Sequence, residues 1–369
     1  MFYDSFNFWC IIMKVSTKLV ICVVLLSIIG VIMIYSSSYI WAQYKYNDSL
    51  KYFKNQLLFL ILGLILMYVI SKIDYNLYYK HSKLFLIICV ILLILVLIPG
   101  IGTVRNGSRS WFKIGPFSIQ PSEFTKLALI IFTSKYLCNN DIKKFKNLLP
   151  ILFLIFLIFF LILLQPDFGT DMVLLLGIIG MLFIGGANIK FFIKIGILGI
   201  IGITILILLA PYRLDRIMSF LNPWSDPLGS GFQIIQSMYA IGPGGLFGYG
   251  FLNSRQKHFY LPEPQTDFIF SIISEEFGFL GCIVIVLLFI YIIYLGFKIS
   301  KNSKDLFSKY LSFGITFSLA FQCVLNLMVV VGLVPVTGVT LPFLSYGGSS
   351  LLITLCSMGI LINISKYQR

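Results

Sequence analysis

The stretch LLPILFLIFLIFFLILL, from Leu148 to Leu164, decides the fold class of this chain. It holds no charged residue, and its length is close to the ~20 residues with which an α-helix crosses the hydrocarbon core of a bilayer. LVICVVLLSIIGVIMI, which begins at Leu19, is a second run of this kind. Because lipid offers no partner to an unpaired backbone amide, such runs have to be helical.

Composition extends this argument to the whole chain. Of its 369 residues 59% are hydrophobic and 11% are charged, against about a quarter charged in a soluble domain. We therefore predict an all-α integral membrane protein, a single polytopic domain over residues 1–369, with about ten transmembrane helices. The predicted spans are residues 18–37, 55–72, 83–99, 121–137, 148–165, 168–187, 192–210, 268–297, 308–331 and 346–365.

The first span is expected to stay as an anchor. The residues before it lack the basic region and the small-residue cleavage pattern of a signal peptide. Whether translation begins at Met1 or at Met13 is left open by the sequence.

The basic residues predict the orientation of the spans. An even number of spans places both termini on one side and sorts the connecting segments into two sets. The set that contains the termini holds 17 of the 28 Lys and Arg residues, and the other set holds 10. Since basic residues favour the cytoplasm, both termini are predicted to be cytoplasmic.

The net charge of +14 is explained by this orientation and by attraction to anionic lipid, so nucleic acid is not an expected partner. With two histidines and no CxxC pair, the chain also shows no metal-binding pattern.

One connection is much longer than the others. It covers residues 211–266, on the outer side between the seventh and eighth predicted spans, and function is expected there because loops of this length are uncommon without a role. Its stretch GFQIIQSMYAI is compatible with a helix. The glycines of GPGGLFGYG either admit a ligand close to the backbone or fold the loop back on the membrane.

Asp267 follows this loop at the mouth of the eighth span, in TDFIFSIISEEFGFLG. A carboxylate at the boundary between lipid and water is suited to general-base catalysis on a sugar hydroxyl. The alternative is that Thr266 or Asp267 caps the helix. Position alone does not separate the two interpretations.

Two acids, Glu275 and Glu276, lie further along the same predicted span, more than two turns beyond Asp267. Acids at that depth are costly and face the bundle interior or a wet cavity. Pairing with Lys126 is the favoured interpretation, and lining a passage is the alternative.

A polar cluster, NGSRSWFKIGPFSIQPSEFTK, runs from Asn106 to Lys126. Its cations Arg109, Lys113 and Lys126 are suited to neutralising a pyrophosphate. Glu123 and Lys126 are three residues apart, so an intrahelical pair is the favoured role for these two, whereas Arg109 has no obvious local partner.

Two further motifs carry polar or small residues. In QPDFGTDM, Asp167 and Asp171 share a helical face, and helix capping by Asp167 is the favoured interpretation. In VPVTGVTLPFLSYGGSSLL, small residues enter the last span, where they let helices pack closely or let a lipid-linked ligand approach the backbone. The residues at this entry are Ser345, Tyr346, Gly347, Gly348, Ser349 and Ser350, and all of them except Tyr346 are small.

Five stretches in this order resemble the SEDS family of cell-shape, division and sporulation proteins. They are NGSRSWFKIGPFSIQPSEFTKLAL, QPDFGTD, LNPWSDPLGSGFQIIQSMYAIGPGGLFGYGF, YLPEPQTDFIFSIISEEFGFLG and LPFLSYGGSSLL, spread over residues 106–352. YLPEPQTDFIF and the last stretch are most similar to the division and sporulation branch. Asp171 departs from the family pattern, which has a small or apolar residue after QPDFGT.

The resemblance implies a ten-helix bundle in the bacterial cytoplasmic membrane, with its active site on the outer face. It implies peptidoglycan glycosyltransfer from lipid II, carried by the aspartate that corresponds to Asp267, in complex with a class B penicillin-binding protein. The family's acidic and basic positions correspond to Glu123 and Lys126. Arg213, Arg216 and Lys257 of the long loop join Arg109, Lys113 and Lys126 as candidates to hold the pyrophosphate, and a requirement for a divalent cation such as Mg²⁺ or Mn²⁺ is undecided.

Two rivals remain at this point. A lipid II flippase would use Glu275, Glu276 and Lys126 to line a path, although the chain shows no convincing internal repeat of the kind transporters have. A scaffold would recruit the crosslinking partner and do no chemistry. Both rivals leave Asp267 without a chemical role.

Overall fold

The computed structural model describes residues 14–105, 107–115, 117–208, 218, 220–229 and 231–367. Within these ranges the chain is mostly helical. Eleven α-helices are described there: α1 Val15–Tyr46, α2 Lys51–Ile70, α3 Asn76–Leu97, α4 Pro121–Asn139, α5 Phe145–Leu163, α6 Phe168–Ile184, α7 Ile189–Leu208, α8 Phe232–Ile241, α9 Ile269–Lys301, α10 Leu306–Val330 and α11 Gly348–Ser365.

Seven of these helices, α1, α2, α3, α5, α9, α10 and α11, are long and apolar enough to cross a membrane, and α6 is apolar but shorter. Each of the ten predicted spans coincides with one helix, and α8 lies in the long connection. The chain is thus a multi-pass membrane protein by its helices. Helix ends differ from the predicted ones because hydropathy marks the lipid-facing part alone: α1 continues through the polar stretch WAQYKY to Tyr46.

The surface of the bundle is apolar and its interior holds polar side chains. Ile65 of α2 and Phe153 of α5 are 54% and 71% exposed, while Gln56 and Asn326 are fully buried. A protein in water would show the reverse distribution. The arrangement fits a bundle whose solvent is lipid and whose costly polar groups face inward.

A small antiparallel sheet corrects the all-α prediction. Its strands are β1 Thr103–Arg105, β2 Ser108–Ile114 and β3 Phe117–Ile119, in the order β1-β2-β3. Lys113 pairs with Ser118 and Phe112 with Ile119. In SRSWFKI, Trp111, Phe112 and Ile114 are aromatic or β-branched residues, which suit a strand, and glycines at positive φ, Gly107 and Gly115, lie beside the turns.

Helix α9 is broken at Gly278, where φ is 62° and ψ is −161°. A Cβ on this residue would lie 2.4 Å from the backbone nitrogen of Gly248, so a side chain is excluded by both the conformation and the close approach of the long connection. Residues 269–277 therefore form a separate helical piece before the longer apolar piece 279–301.

The long connection packs on this first piece of α9. The amides of Tyr249 and Gly250 donate to the carbonyls of Glu275 and Glu276, each at 2.9 Å. In α8, the hydroxyl of Ser237 lies 2.8 Å from that of Ser271 and donates to the carbonyl of Val330 at 2.6 Å. The described part of the connection is thus attached to α9 and α10.

Candidate functional site

Asp267 lies two residues before the start of α9 and is half-buried. Its carboxylate oxygen Oδ1 lies 2.9 Å from the hydroxyl of Thr266, and its carbonyl accepts a 2.7 Å hydrogen bond from Nδ2 of Asn326. The N-cap position of α9 is occupied by Phe268, which makes no side-chain cap hydrogen bond. Neither Thr266 nor Asp267 occupies this N-cap position, which the capping interpretation had assigned to one of them.

The segment before α11 is joined to the segment of Asp267. The amide of Tyr346 donates to the carbonyl of Gln265 at 2.8 Å. Gln56 of α2 fixes both sides of this contact, because its Nε2 donates to the carbonyl of Ser345 at 3.2 Å and its Oε1 accepts from the amide of Gly347 at 3.3 Å. Ser345 and Tyr346 are therefore brought close in the chain's fold to the predicted catalytic acid.

Ser349 and Gly348 have structural contacts. The hydroxyl of Ser349 accepts from the amide of Gln120 at 3.1 Å and donates to the carbonyl of Ser118 at 3.2 Å. A Cβ on Gly348 would lie 2.4 Å from the ring of Phe59, so this glycine permits α11 to pack on α2. Close packing thus accounts for Gly348 and two hydrogen bonds account for Ser349, and contact of either residue with a ligand stays a prediction.

Glu123 and Lys126 form the predicted intrahelical ion pair, at 2.8 Å, and both are buried. Nζ of Lys126 also donates to Oε1 of Gln322 at 2.8 Å. A cavity of about 30 Å³ lies beside these groups. The predicted pairing of Lys126 with Glu275 or Glu276 is wrong.

Those two glutamates hold the long connection instead. Nζ of Lys257 lies 2.8 Å from Oε1 of Glu276, both side chains are fully buried, and the hydroxyl of Ser36 in α1 donates to the same carboxylate at 2.6 Å. Glu275 accepts the amides of Arg255 and Gln256 at 2.8 and 3.3 Å. We call Ser36, Lys257, Glu275 and Glu276 the loop clamp.

The loop clamp corrects two predictions. Lys257 is fully buried in an ion pair and is not available to a pyrophosphate. Glu275 and Glu276 precede the break at Gly278, so they do not lie deep in a continuous span as predicted. Sequence alone showed neither fact because both depend on where the long connection returns.

The other basic candidates differ in accessibility. Arg109 of β2 is half-buried and donates to the carbonyl of Leu97 at 3.3 Å, a partner that the sequence did not reveal, and Lys113 is exposed. Arg213 and Arg216 lie outside the described residues. Arg255, which was not a candidate, is exposed, lies over the ring of Tyr249 at 4.6 Å and lines an open cavity of about 520 Å³.

Asp167 and Asp171 have different environments. Asp167 is the N-cap of α6, as predicted, and it also accepts from Nε2 of Gln120 at 2.6 Å. Asp171 is fully buried, and neither carboxylate oxygen has a hydrogen-bond partner among the described residues. Within the ranges that the structure describes, no group of three or more His, Cys, Asp and Glu side chains is placed to hold a metal ion.

Sequence reasoning missed the buried amides that organise the site. Gln56, Gln322 and Asn326 all lie inside apolar helices and each bonds a loop or a charged group. An amide within a span is itself a signal, because its burial is costly without a partner. The identity of the partner is what the sequence did not contain.

These features define a class: multi-pass membrane proteins with a half-buried acid where a long connection meets a broken helix. The chain belongs to the family of cell cycle proteins that includes FtsW, RodA and SpoVE, whose model matches residues 16–369.

Relatives cover nearly the whole chain. Stage V sporulation protein E of Bacillus subtilis (strain 168) is 53% identical over 354 residues, which are 95% of this chain and 97% of that protein. A probable peptidoglycan glycosyltransferase FtsW of Geobacter sp. (strain M18) is 39% identical over 349 residues, 94% of this chain and 95% of the relative.

Solved structures share the fold. A chain from a study of polymerization and crosslinking by a peptidoglycan synthase complex has a TM-score of 0.79 and 30% identity, covering 94% of this chain and 96% of its own. The rod shape determining protein RodA of Thermus thermophilus has a TM-score of 0.70 and 28% identity, covering 95% and 97%.

Proposed function

We propose that this protein is a peptidoglycan glycosyltransferase that polymerises lipid II on the outer face of a bacterial cytoplasmic membrane, with Asp267 as general base. The observation that carries the proposal is a half-buried carboxylate held beside a loop segment at one end of a membrane bundle. The name of a relative that is 39% identical, probable peptidoglycan glycosyltransferase FtsW, supports the same activity.

In this mechanism Asp267 takes the proton of the C4 hydroxyl of the acceptor's N-acetylglucosamine. The hydroxyl oxygen then bonds to C1 of the donor's N-acetylmuramic acid, and the bond from C1 to the pyrophosphate breaks. Undecaprenyl pyrophosphate leaves with the electron pair, and attack from the opposite face produces the β-linkage. The proton passes from Asp267 to water before the next cycle.

The leaving pyrophosphate needs cations. Lys257 is excluded by its ion pair, whereas Lys113 and Arg255 are exposed and Arg109 is half-buried. We assign charge neutralisation to these three, since positioned cations stabilise charge that grows as a bond breaks. A divalent cation such as Mg²⁺ or Mn²⁺ would act at the same group if the reaction requires one.

The membrane arrangement is part of the proposal. We propose ten crossings, by α1–α7 and α9–α11, with both termini cytoplasmic and residues 211–266 outside. The partner is a class B penicillin-binding protein, supported by the likeness to a chain from a complex that couples polymerization to crosslinking. The process served is division or sporulation, since a sporulation protein and an FtsW protein are similar to 95% and 94% of this chain.

The buried ion pairs argue against the flippase alternative. It required Glu275, Glu276 and Lys126 to line a path, but these groups are buried in the loop clamp and in the pair with Glu123. A scaffold without chemistry makes no use of the half-buried Asp267.

The decisive experiment is Asp267→Asn in purified protein supplied with lipid II and its partner. We expect the rate of polymer formation to fall by a factor of ~10² to 10⁴ or more, because the amide cannot accept the proton. The measurement is the rate of glycan-strand formation on gels. Strands made at the wild-type rate would refute the role of Asp267, and lipid transfer across vesicles without polymer would support the flippase.

A further inference from the structure

Asn326 of α10 connects Asp267 to a second segment of the chain. Its Nδ2 donates to the carbonyl of Asp267 and to the carbonyl of Val339, each at 2.7 Å. The residue is fully buried. One amide group thus holds the backbone of the proposed general base against the segment that leads to α11.

The chemistry of the amide fixes its orientation. The NH₂ group has two hydrogens, and both are used by the two carbonyls. Turning the amide over would place its oxygen against two carbonyl oxygens, which repel it. Oδ1 of Asn326 has no hydrogen-bond partner among the described residues, so the two donated bonds have to offset the cost of a buried, unpaired oxygen.

The segment on the other side of Asn326 is itself fixed. The amide of Leu341 donates to the hydroxyl of Ser345 at 2.8 Å, and Gln56 of α2 holds Ser345 and Gly347. The amide of Tyr346 adds a direct bond to Gln265, two residues before Asp267. The backbone at Asp267 is therefore held directly by α10 and, through Gln265, by the segment before α11, which α2 holds in turn.

We infer that Asn326 is a positioning residue for the transfer reaction, which sets the place of the Asp267 backbone and so the place of its carboxylate. This inference rests on the proposed role of Asp267. A general base has to lie within hydrogen-bond reach of the proton that it takes, and a misplacement of about 1 Å costs about 10²-fold in rate.

The test compares Asn326→Leu and Asn326→Ser with Asn363→Leu. Leucine has the same number and branching of side-chain heavy atoms as asparagine and no donor, and serine keeps a single donor in a smaller side chain, so one variant remains if the other fails to fold. Asn363 of α11 is the matched control: it is 1% exposed, its Nδ2 donates to the carbonyl of Ser71 at 3.0 Å, and its Oδ1 accepts from the amide of Tyr75 at 3.1 Å. These bonds lie far along α11 from the Tyr346 contact.

We expect each Asn326 variant to lower kcat for lipid II polymerisation by about 10²-fold with KM changed by less than about threefold, because binding is kept and alignment is lost. Asn363→Leu should lower the thermal unfolding temperature in detergent about as much as the Asn326 variants do. Its kcat should stay at the wild-type value. If Asn326 had only a structural role, substitution at either site would lower the unfolding temperature and leave kcat unchanged.

Two outcomes would overturn the inference. Asn326 variants with wild-type kcat, next to an inactive Asp267→Asn, would refute the positioning role and leave the general base intact. A kcat loss in Asn363→Leu equal to that of the Asn326 variants would show that the effect is general destabilisation. An active Asp267→Asn would instead refute the proposed function itself.

Discussion

At the scale of single residues, the hydroxyl of Thr266 lies between two acceptors. It is 2.7 Å from the carbonyl of Glu263 and 2.9 Å from Oδ1 of Asp267. A hydroxyl has one hydrogen and two lone pairs, so it donates to Asp267 when this is a carboxylate and accepts from it when this carries a proton. Thr266 can therefore bind Asp267 in both of the protonation states that the proposed general-base role requires.

This predicts different effects of two substitutions at Thr266. Thr266→Val keeps the shape and removes the hydroxyl, and we expect a loss of about tenfold to a hundredfold in kcat, which corresponds to the ~1.5–3 kcal/mol of a hydrogen bond to a charged group. Thr266→Ser keeps the hydroxyl and should stay close to wild type. Initial rates of lipid II polymerisation measure both, and equal rates for the two variants would contradict the prediction.

How far the sequence predicts single residues depends on whether their partners are local. Glu123 with Lys126, and Asp167 as the cap of α6, are near in sequence, and both predicted contacts are present. Lys257 of the long connection and Glu276 of α9 lie 19 residues apart, and Ser36 joins them from α1. No local rule predicts a meeting of that kind.

At the scale of elements, the loop clamp joins the long connection to α1 and α9. Lys257→Met would leave the carboxylate of Glu276 buried without its cation, at a cost of about 3–5 kcal/mol. Lys257→Met combined with Glu276→Gln removes both charges and should recover much of that stability. Thermal unfolding in detergent measures the difference.

The control for this prediction is the ion pair of Lys54 with Asp48, whose side chains are 59% and 37% exposed. Lys54→Met should leave the unfolding temperature unchanged, because exposed pairs contribute little. The prediction fails if the Lys257→Met single variant is as stable as the double variant.

The elements themselves were predicted well where hydropathy governs them and poorly where it does not. Every predicted span coincides with a helix because lipid permits no other local structure. The three-stranded sheet of residues 103–119 was missed because its strands have three, seven and three residues. Strands this short are stable only when they are paired. The break in α9 was missed because Gly278 is compatible with a helix until the long connection packs against it.

At the scale of the whole molecule, contacts separate into two ends of the bundle. One end joins the hydroxyl of Tyr75 to Asp305 at 2.6 Å and Asn363 to Ser71. The opposite end joins Gln56 to Ser345 and Gln120 to Asp167. In the arrangement predicted from the basic residues, the first group lies on the cytoplasmic side and the second on the outer side. This separation supports the proposed ten crossings.

Labelling with a membrane-impermeant maleimide tests that arrangement. Leu228→Cys, at a position 89% exposed in the long connection, should react in intact spheroplasts. Lys304→Cys, exposed between α9 and α10, should react only after the membrane is opened. The unsubstituted chain is the control for its own cysteines. Reaction of both variants in intact cells would show that the number of crossings is wrong.

The break at Gly278 has a consequence for how a substrate travels. Residues 279–301 rise about 1.5 Å each, enough for the ~30 Å of hydrocarbon, so in the proposed arrangement the piece before the break would lie outside the hydrocarbon. If the proposed arrangement holds, Asp267 lies on the head-group side of the hydrocarbon, the side on which the sugar of a prenyl-linked substrate lies. We expect both reactants to arrive by lateral diffusion in the leaflet, with their tails never extracted from the lipid.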